Sequence, residues 1–232
     1  MTEKPIDIKK LAVRQKISES RIAVQHSRNK LTVWERINLL FDKDTFIELN
    51  ASGSQPPAIS NGALSNRNAT DEIYTAGDGV ITGCGKIKGK LVYAALQDFT
   101  VNGGTIGEIH SRKICKVLEK SMICGAPFIQ VLDSGGIRIQ EGLNALEAFA
   151  GVLRLNERAT GKIPQISVIA GYCLDAAAYS PALTDFIFTI KNVSKLSITT
   201  PTNLKQMTGE VATAEELGGA DALNTLNGIS HF

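Results

Sequence analysis

The chain has 232 residues, 43% of them hydrophobic and 21% charged, with a net charge of +2 at pH 7. That is enough chain for one large α/β domain burying roughly 70% or more of its unfolded surface, and too little excess charge for the basic face that nucleic acid requires. No apolar run approaches the ~20 residues of a bilayer-spanning helix, no charged-then-apolar leader opens the sequence, and a cytoplasmic protein without a transmembrane segment is the expectation. Residues 4–30 set Leu11, Ile17, Ile22 and Val24 among Lys, Arg, Gln and Ser, which predicts an amphipathic helical arm over 1–30. Its basic residues Lys4, Lys9, Lys10, Arg14, Lys16 and Arg21 read by default as a solvated face. The domain proper is placed at 31–232. Thr32 with Glu35 three residues later forms a capping box, and Val33, Ile37, Leu40 and Phe41 share one side of the short helix that follows.

Residues 51–76 are rich in Pro, Ser, Asn, Gly and Thr and read as a long loop. From Gly79 the texture turns to two strands joined by the turn in "KIKGK". A helix with Ile109, Ile114, Val117, Leu118 and Met122 at helical spacing comes next, closed by Gly125 with Pro127 beyond it. The plan repeats: "PFIQVLDS" is a strand, Gly135–Gly136 a turn and "LNALEAFAGVLRLNERATG" a helix. "PQISVIAG" is a third strand, "YCLDAAAYSPAL" a turn and small-residue helix, and "DFIFTIK" a strand. Strand, glycine turn and helix in repetition specify an α/β fold with right-handed crossovers.

Cys84, Cys115, Cys124 and Cys173 make no C-x-x-C pair and have three histidines beside them, so reduced, mostly buried thiols and no metal site are expected. The chemistry is sought instead in backbone. Two successive strands end in small-residue turns, Asp133–Ile137 and Gly171–Ala178, each opening a helix whose first amides have no intrahelical acceptor. Two such corners can aim N–H groups at one oxygen, the arrangement of an oxyanion hole.

These residues carry a resemblance. "GDGVITGCGKIKGKLVYAALQDFTVNGGTIGEIHSRKICKV", "GAPFIQVLDSGGIRIQEG", "GKIPQISVIAG" with "YSPALTDFIF", and "TGEVATAEELGGA" are similar, in order, to successive blocks of the acyl-CoA carboxyltransferase family of biotin-dependent carboxylases and decarboxylases. "NKLTVWERINLLFDKDTFIEL" resembles the family's entry segment, so the similarity runs from about residue 12. The resemblance implies a crotonase-like fold of stacked β-β-α units, in which this amino-terminal half holds a CoA thioester. It implies a second, homologous half as partner, biotin borne by a carrier protein, an oligomer, and no metal. The implied reaction moves CO2 between carboxybiotin and the carbon α to the thioester, through an enolate whose oxygen receives peptide N–H groups. On this reading the backbone at Asp175 and Ala176 donates to the enolate, while Gly135, Gly136, Ile137, Gly171 and Ala177 shape the substrate site.

The chain departs from the family where the second corner is usually Gly-Pro-Cys-Ala-Gly-Gly-Ala. Asp175 and Ala176 occupy the two glycine positions. Amide donors survive any substitution but proline, whereas a carboxylate close to a developing anion repels it. Asp175 therefore reads either as the N-cap of a helix beginning near Ala176 or as the mark of a noncatalytic CoA-binding or scaffold subunit. Family members are also longer, so the biotin site is expected from a carboxy-terminal half or another subunit. A serine hydrolase on the same fold is the remaining alternative, with Ser134, His110 and Asp133 or Asp98 as its trio. No G-x-S-x-G elbow supports it.

Overall fold

A computed structural model describes residues 19–51 and 77–232. Most of the expected arm and nearly all of the expected 51–76 loop lie outside the described residues. What is described of the arm is α1 (Glu19–Ser27). Helix α2 (Val33–Leu40) begins where the capping box requires: the Thr32 hydroxyl accepts from Glu35 N, and the Glu35 carboxylate accepts from Thr32 N at 2.7 Å.

Among the described residues seven strands form one sheet: β1 (Ile47–Leu49), β2 (Val80–Ile87), β3 (Lys90–Gln97), β4 (Phe128–Ser134), β5 (Gln165–Leu174), β6 (Phe186–Thr189) and β7 (Lys195–Ser197). The order is β1-β2-β3-β4-β5-β6, with β7 also pairing β5. The pairs β1–β2 and β2–β3 are antiparallel; β3–β4, β4–β5, β5–β6 and β5–β7 are parallel. Crossovers between the parallel strands run through α3 (Glu108–Cys124), α4 (Leu143–Ala159) and the single turn α5 (Tyr179–Ala182). Helices α6 (Pro201–Thr208) and α7 (Ala214–Gly218) follow β7, and Thr200 caps α6 with Pro201 as its first residue.

Side chains alternate along the strands between two cores. Tyr93, Phe128, Leu132 and Ile169 pack with Ile114, Val117 and Leu118 of α3 and Phe149, Val152 and Leu155 of α4. On the opposite face Val92, Ala94, Leu96, Ile129 and Val131 pack with Val33, Ile37 and Phe41 around α2. A polar seam crosses the first core: Asn156 Nδ2 donates to Gln165 Oε1 at 3.0 Å, and Ser180 Oγ lies 2.9 Å from Asn156 Oδ1 and 3.1 Å from Gln130 Oε1. It anchors α5 against α4 and β4, as buried polar groups require partners.

Two expectations need correction. Strand β5 does not stop near Gly171 but continues to Leu174, because β7 supplies a parallel partner for Tyr172–Leu174. The thiols are not mostly buried: Cys173 is, Cys84 and Cys115 are half-buried, and Cys124 is exposed at the end of α3. Burial holds the Cys173 and Cys115 thiols above the ordinary cysteine range, the latter at about 11.

Candidate active site at the strand ends

The carboxyl ends of β3, β4 and β5 lie side by side, where open α/β sheets receive ligands. Three loops leave there: Asn102–Gly104, Gly135–Gly136 and the 3-10 turn Asp175–Ala178. The first corner is locked by its neighbours. Gly135 donates its amide to Gly103 O (3.0 Å), and Ile106 N donates to Gly136 O (2.9 Å). Gly136 donates to Ser134 Oγ at 3.1 Å, so the glycine amides are engaged. Ile137 pairs with Ile106 in a parallel bridge, and its own amide has no acceptor among the described residues.

The second corner differs. Asp175 opens the 3-10 turn at φ 55, and Leu174, not Asp175, stands in the N-cap position, with no side chain capping the turn. The N-cap reading of Asp175 is thus corrected: continued pairing with β7 carries extended backbone to Leu174, and Asp175 falls inside the turn in a left-handed conformation. The amides of Asp175 and Ala176 precede the turn's first internal bond and have no acceptor within it. The corners touch. A Cβ on Gly136, at φ +105, would stand 3.0 Å from Asp175 Oδ2 and 3.3 Å from Leu174 O, so glycine permits the approach. The Asp175 side chain is exposed and has no hydrogen-bond or ion-pair partner among the described residues.

Of the expected site residues, Gly136 and Asp175 are brought into contact, with Gly135, Ile137 and Ala176 beside them in the chain. Gly171 and Ala177 are buried behind this corner. A side chain at Gly171 would overlap the Asp133 carboxylate, which interrupts the β4–β5 register between Leu132 and Ser134 and accepts from Tyr172 N at 3.2 Å.

Asp133 is the centre of a network that sequence reasoning did not find. Its fully buried carboxylate accepts from Lys30 Nζ and from Arg36 Nη2, each at 2.8 Å, and Arg36 also reaches Ala170 O at 3.0 Å. Burial lowers the Lys30 pKa while the Asp133 charge opposes that shift; the ammonium also lies 4.4 Å from the Phe99 ring centroid and 4.5 Å from that of Tyr172. The only sequence hint was Arg36 beside Ile37 on the apolar side of α2. Arg138 forms a second network below the first corner: Nη1 lies 2.5 Å from Asp78 Oδ1 and 2.6 Å from Glu141 Oε1, and Nη2 donates to Thr105 O. Burial raises the Asp78 pKa against the Arg138 charge. Glu141 accepts from Glu108 N at 2.6 Å and so caps α3 from outside.

The hydrolase trio is not assembled. Ser134 Oγ is buried at the Gly136 amide. The His110 ring lies 2.8 Å from Asp78 O through Nδ1 and 3.3 Å from Gln97 Nε2 through Nε2. That pattern fits a neutral ring with Nδ1 protonated, and burial pushes its pKa down to about 3. The Asp98 carboxylate accepts from Thr100. Among the described residues no three His, Cys, Asp or Glu side chains gather as metal ligands, and no helix is long and apolar enough to cross a membrane.

A mixed sheet, parallel from β3 onward, with two backbone corners meeting at its strand ends is the architecture of crotonase-like proteins, and solved structures agree. A transcarboxylase 12S, described as a hexamer assembly with methylmalonyl-coenzyme A and methylmalonic acid bound, superimposes with a TM-score of 0.87 at 40% identity, covering 97% of this chain and 42% of that one. The β subunit of geranyl-CoA carboxylase from P. aeruginosa shares the fold at a TM-score of 0.78 and 23% identity, covering 100% of this chain and 45% of that one. The chain belongs to the carboxyl transferase domain family, which it matches over residues 24–232. Methylmalonyl-CoA decarboxylase subunit alpha of Veillonella parvula is 46% identical over 214 residues, 92% of this chain and 40% of that protein. The mitochondrial propionyl-CoA carboxylase beta chain of Homo sapiens is 45% identical over 213 residues, 92% of this chain and 38% of that protein. The chain thus spans well under half the length of these curated relatives.

Proposed function

We propose that this chain is the acyl-CoA-binding half of a biotin-dependent carboxyltransferase, transferring a carboxyl group between carboxybiotin and the carbon α to a CoA thioester. The observation that carries the reading is the contact of Gly136 with Asp175, which leaves the Asp175 and Ala176 amides ahead of any bond within their turn. Family membership and relatives named for propionyl-CoA and methylmalonyl-CoA support it.

In this mechanism the thioester oxygen lies at the second corner. Loss of a proton or of CO2 from the α-carbon sends charge to that oxygen, and the two amides, oriented beforehand by β5–β7 pairing, bind the enolate more strongly than the ground-state carbonyl. Biotin, when bound, supplies or accepts the carboxyl group. The Gly135 and Gly136 amides are engaged by Gly103 O and Ser134 Oγ, so the Asp175 and Ala176 amides of the second corner are the pair assigned to the thioester. The biotin site is therefore assigned to a carboxy-terminal half, with a biotin carrier protein as further partner, in a cytoplasmic oligomer.

One observation favours a second reading. The Asp175 carboxylate beside the donors fits a noncatalytic acyl-CoA-binding subunit. The test combines the chain with the carboxy-terminal part of the Veillonella relative and measures both propionyl-CoA binding and biotin-dependent carboxyl exchange. Binding with exchange supports the enzyme; binding without exchange supports the noncatalytic subunit; no binding overturns both. Ala176→Pro, which deletes one N–H, is expected to lower exchange roughly 10²–10³-fold, with a thermal melt run beside it to show that the turn survives.

A further inference from the structure

Asp175 is a carboxylate on the donor residue itself, and nothing described neutralises it. Its backbone opens the 3-10 turn, its side chain is exposed, and Oδ2 would stand 3.0 Å from a Cβ built on Gly136. The buried cations of the two networks are engaged elsewhere: Lys30 and Arg36 on Asp133, Arg138 on Asp78 and Glu141. The position is a poor one for an ordinary side chain, since left-handed φ is costly for non-glycine residues, Asn and Asp being the mildest cases.

We infer that Asp175 sorts substrates by charge, so that the site takes an acyl thioester whose α-carbon bears no carboxylate in preference to one whose α-carbon bears it. The inference rests on the acyl-CoA reading above. The α-carbon is bonded to the carbonyl whose oxygen the Asp175 and Ala176 amides receive, so an α-carboxylate lies within about 4–6 Å of the corner, the range over which charges act strongly on one another. Every CoA thioester carries the same phosphates, and these cancel from the comparison. What is left is one carboxylate facing another. In the carboxylating direction the same repulsion hastens departure of the product, whereas in the decarboxylating direction it opposes entry of the substrate.

Calorimetry with propionyl-CoA and methylmalonyl-CoA, which differ by one carboxylate, tests this on the wild type, Asp175→Asn and Asp175→Gly. Asparagine keeps the shape and tolerates the backbone conformation, and glycine relieves it, so at least one neutral variant retains the corner. The expected result is that the ratio of the two Kd values shifts toward methylmalonyl-CoA by about fivefold in both variants, the factor two charges about 4 Å apart exert in water. Added salt compresses the ratio only in the wild type. Propionyl-CoA binding with an unchanged ratio overturns the charge-sorting role and leaves the acyl-CoA reading standing. Failure of all three proteins to bind either thioester overturns both.

Discussion

His110 is a histidine with no room for a second proton. Its ring is wholly buried, Nδ1 faces the Asp78 carbonyl, and Nε2 faces the Gln97 amide. Burial holds the folded pKa at about 3 against 6.5 for the free ring. Because the folded value lies below the unfolded one, the unfolded chain binds more protons through the interval between them. The stability tied to the neutral ring is complete above the unfolded pKa and is lost as pH falls toward the folded one. As pH falls from about 7 to about 5, the wild type should therefore lose about 2 kcal/mol more of its urea-unfolding free energy than His110→Gln. Burial also raises the pKa of Asp78 and Asp98, which gives the opposite slope at those groups; both are present in each protein and drop out of the difference. Equal pH slopes in the two proteins would mean that the ring finds water or an acceptor when protonated.

At the scale of elements, legibility followed the range of the interactions. The capping box of α2 joins residues three apart, and the Lys88–Gly89 hairpin and the Gly125 terminus of α3 are equally local; each was readable because its signal lies within one turn. Thr32→Ala should lower stability by about 1 kcal/mol in urea, with unchanged far-UV dichroism showing that α2 still forms. Glu35, whose pKa falls to about 2 through its bond to His26 and then the Thr32 amide, keeps a partner in that variant. The end of β5 was not readable in the same way. Three extra strand residues, Tyr172–Leu174, depend on β7 some twenty residues later and on the Asp133 carboxylate filling the place of a side chain at Gly171. The N-cap reading of Asp175 failed for the same reason. Aspartate after an extended residue is a good N-cap by local rules, but the longer strand moved the start of the turn onto Asp175 itself. The glycine corner after β4 was legible as a turn, whereas Lys30 and Arg36 converge on Asp133 from about a hundred residues away and left no local trace.

Across the whole molecule, that convergence joins the two faces of the sheet. Helix α2 covers one core, helices α3 and α4 the other, and the strand carrying Asp133 runs between them into the candidate site. The single tryptophan, Trp34, sits on α2 against the smaller core, so its fluorescence reports one layer while far-UV dichroism reports all of them. In the wild type the two signals should trace one urea transition, the mark of a cooperative unit, because the Lys30 and Arg36 bonds couple α2 to β4. Asp133→Ala leaves two buried cations without their carboxylate, a loss of about 3–5 kcal/mol, and removes the tie between layers. In that variant the Trp34 transition should precede the dichroism change. If the two curves still coincide, the apolar contacts of Val33, Ile37 and Phe41 hold α2 without the ionic tie, and Asp133 serves chiefly to shape the β5 bulge that leads to the Asp175 turn.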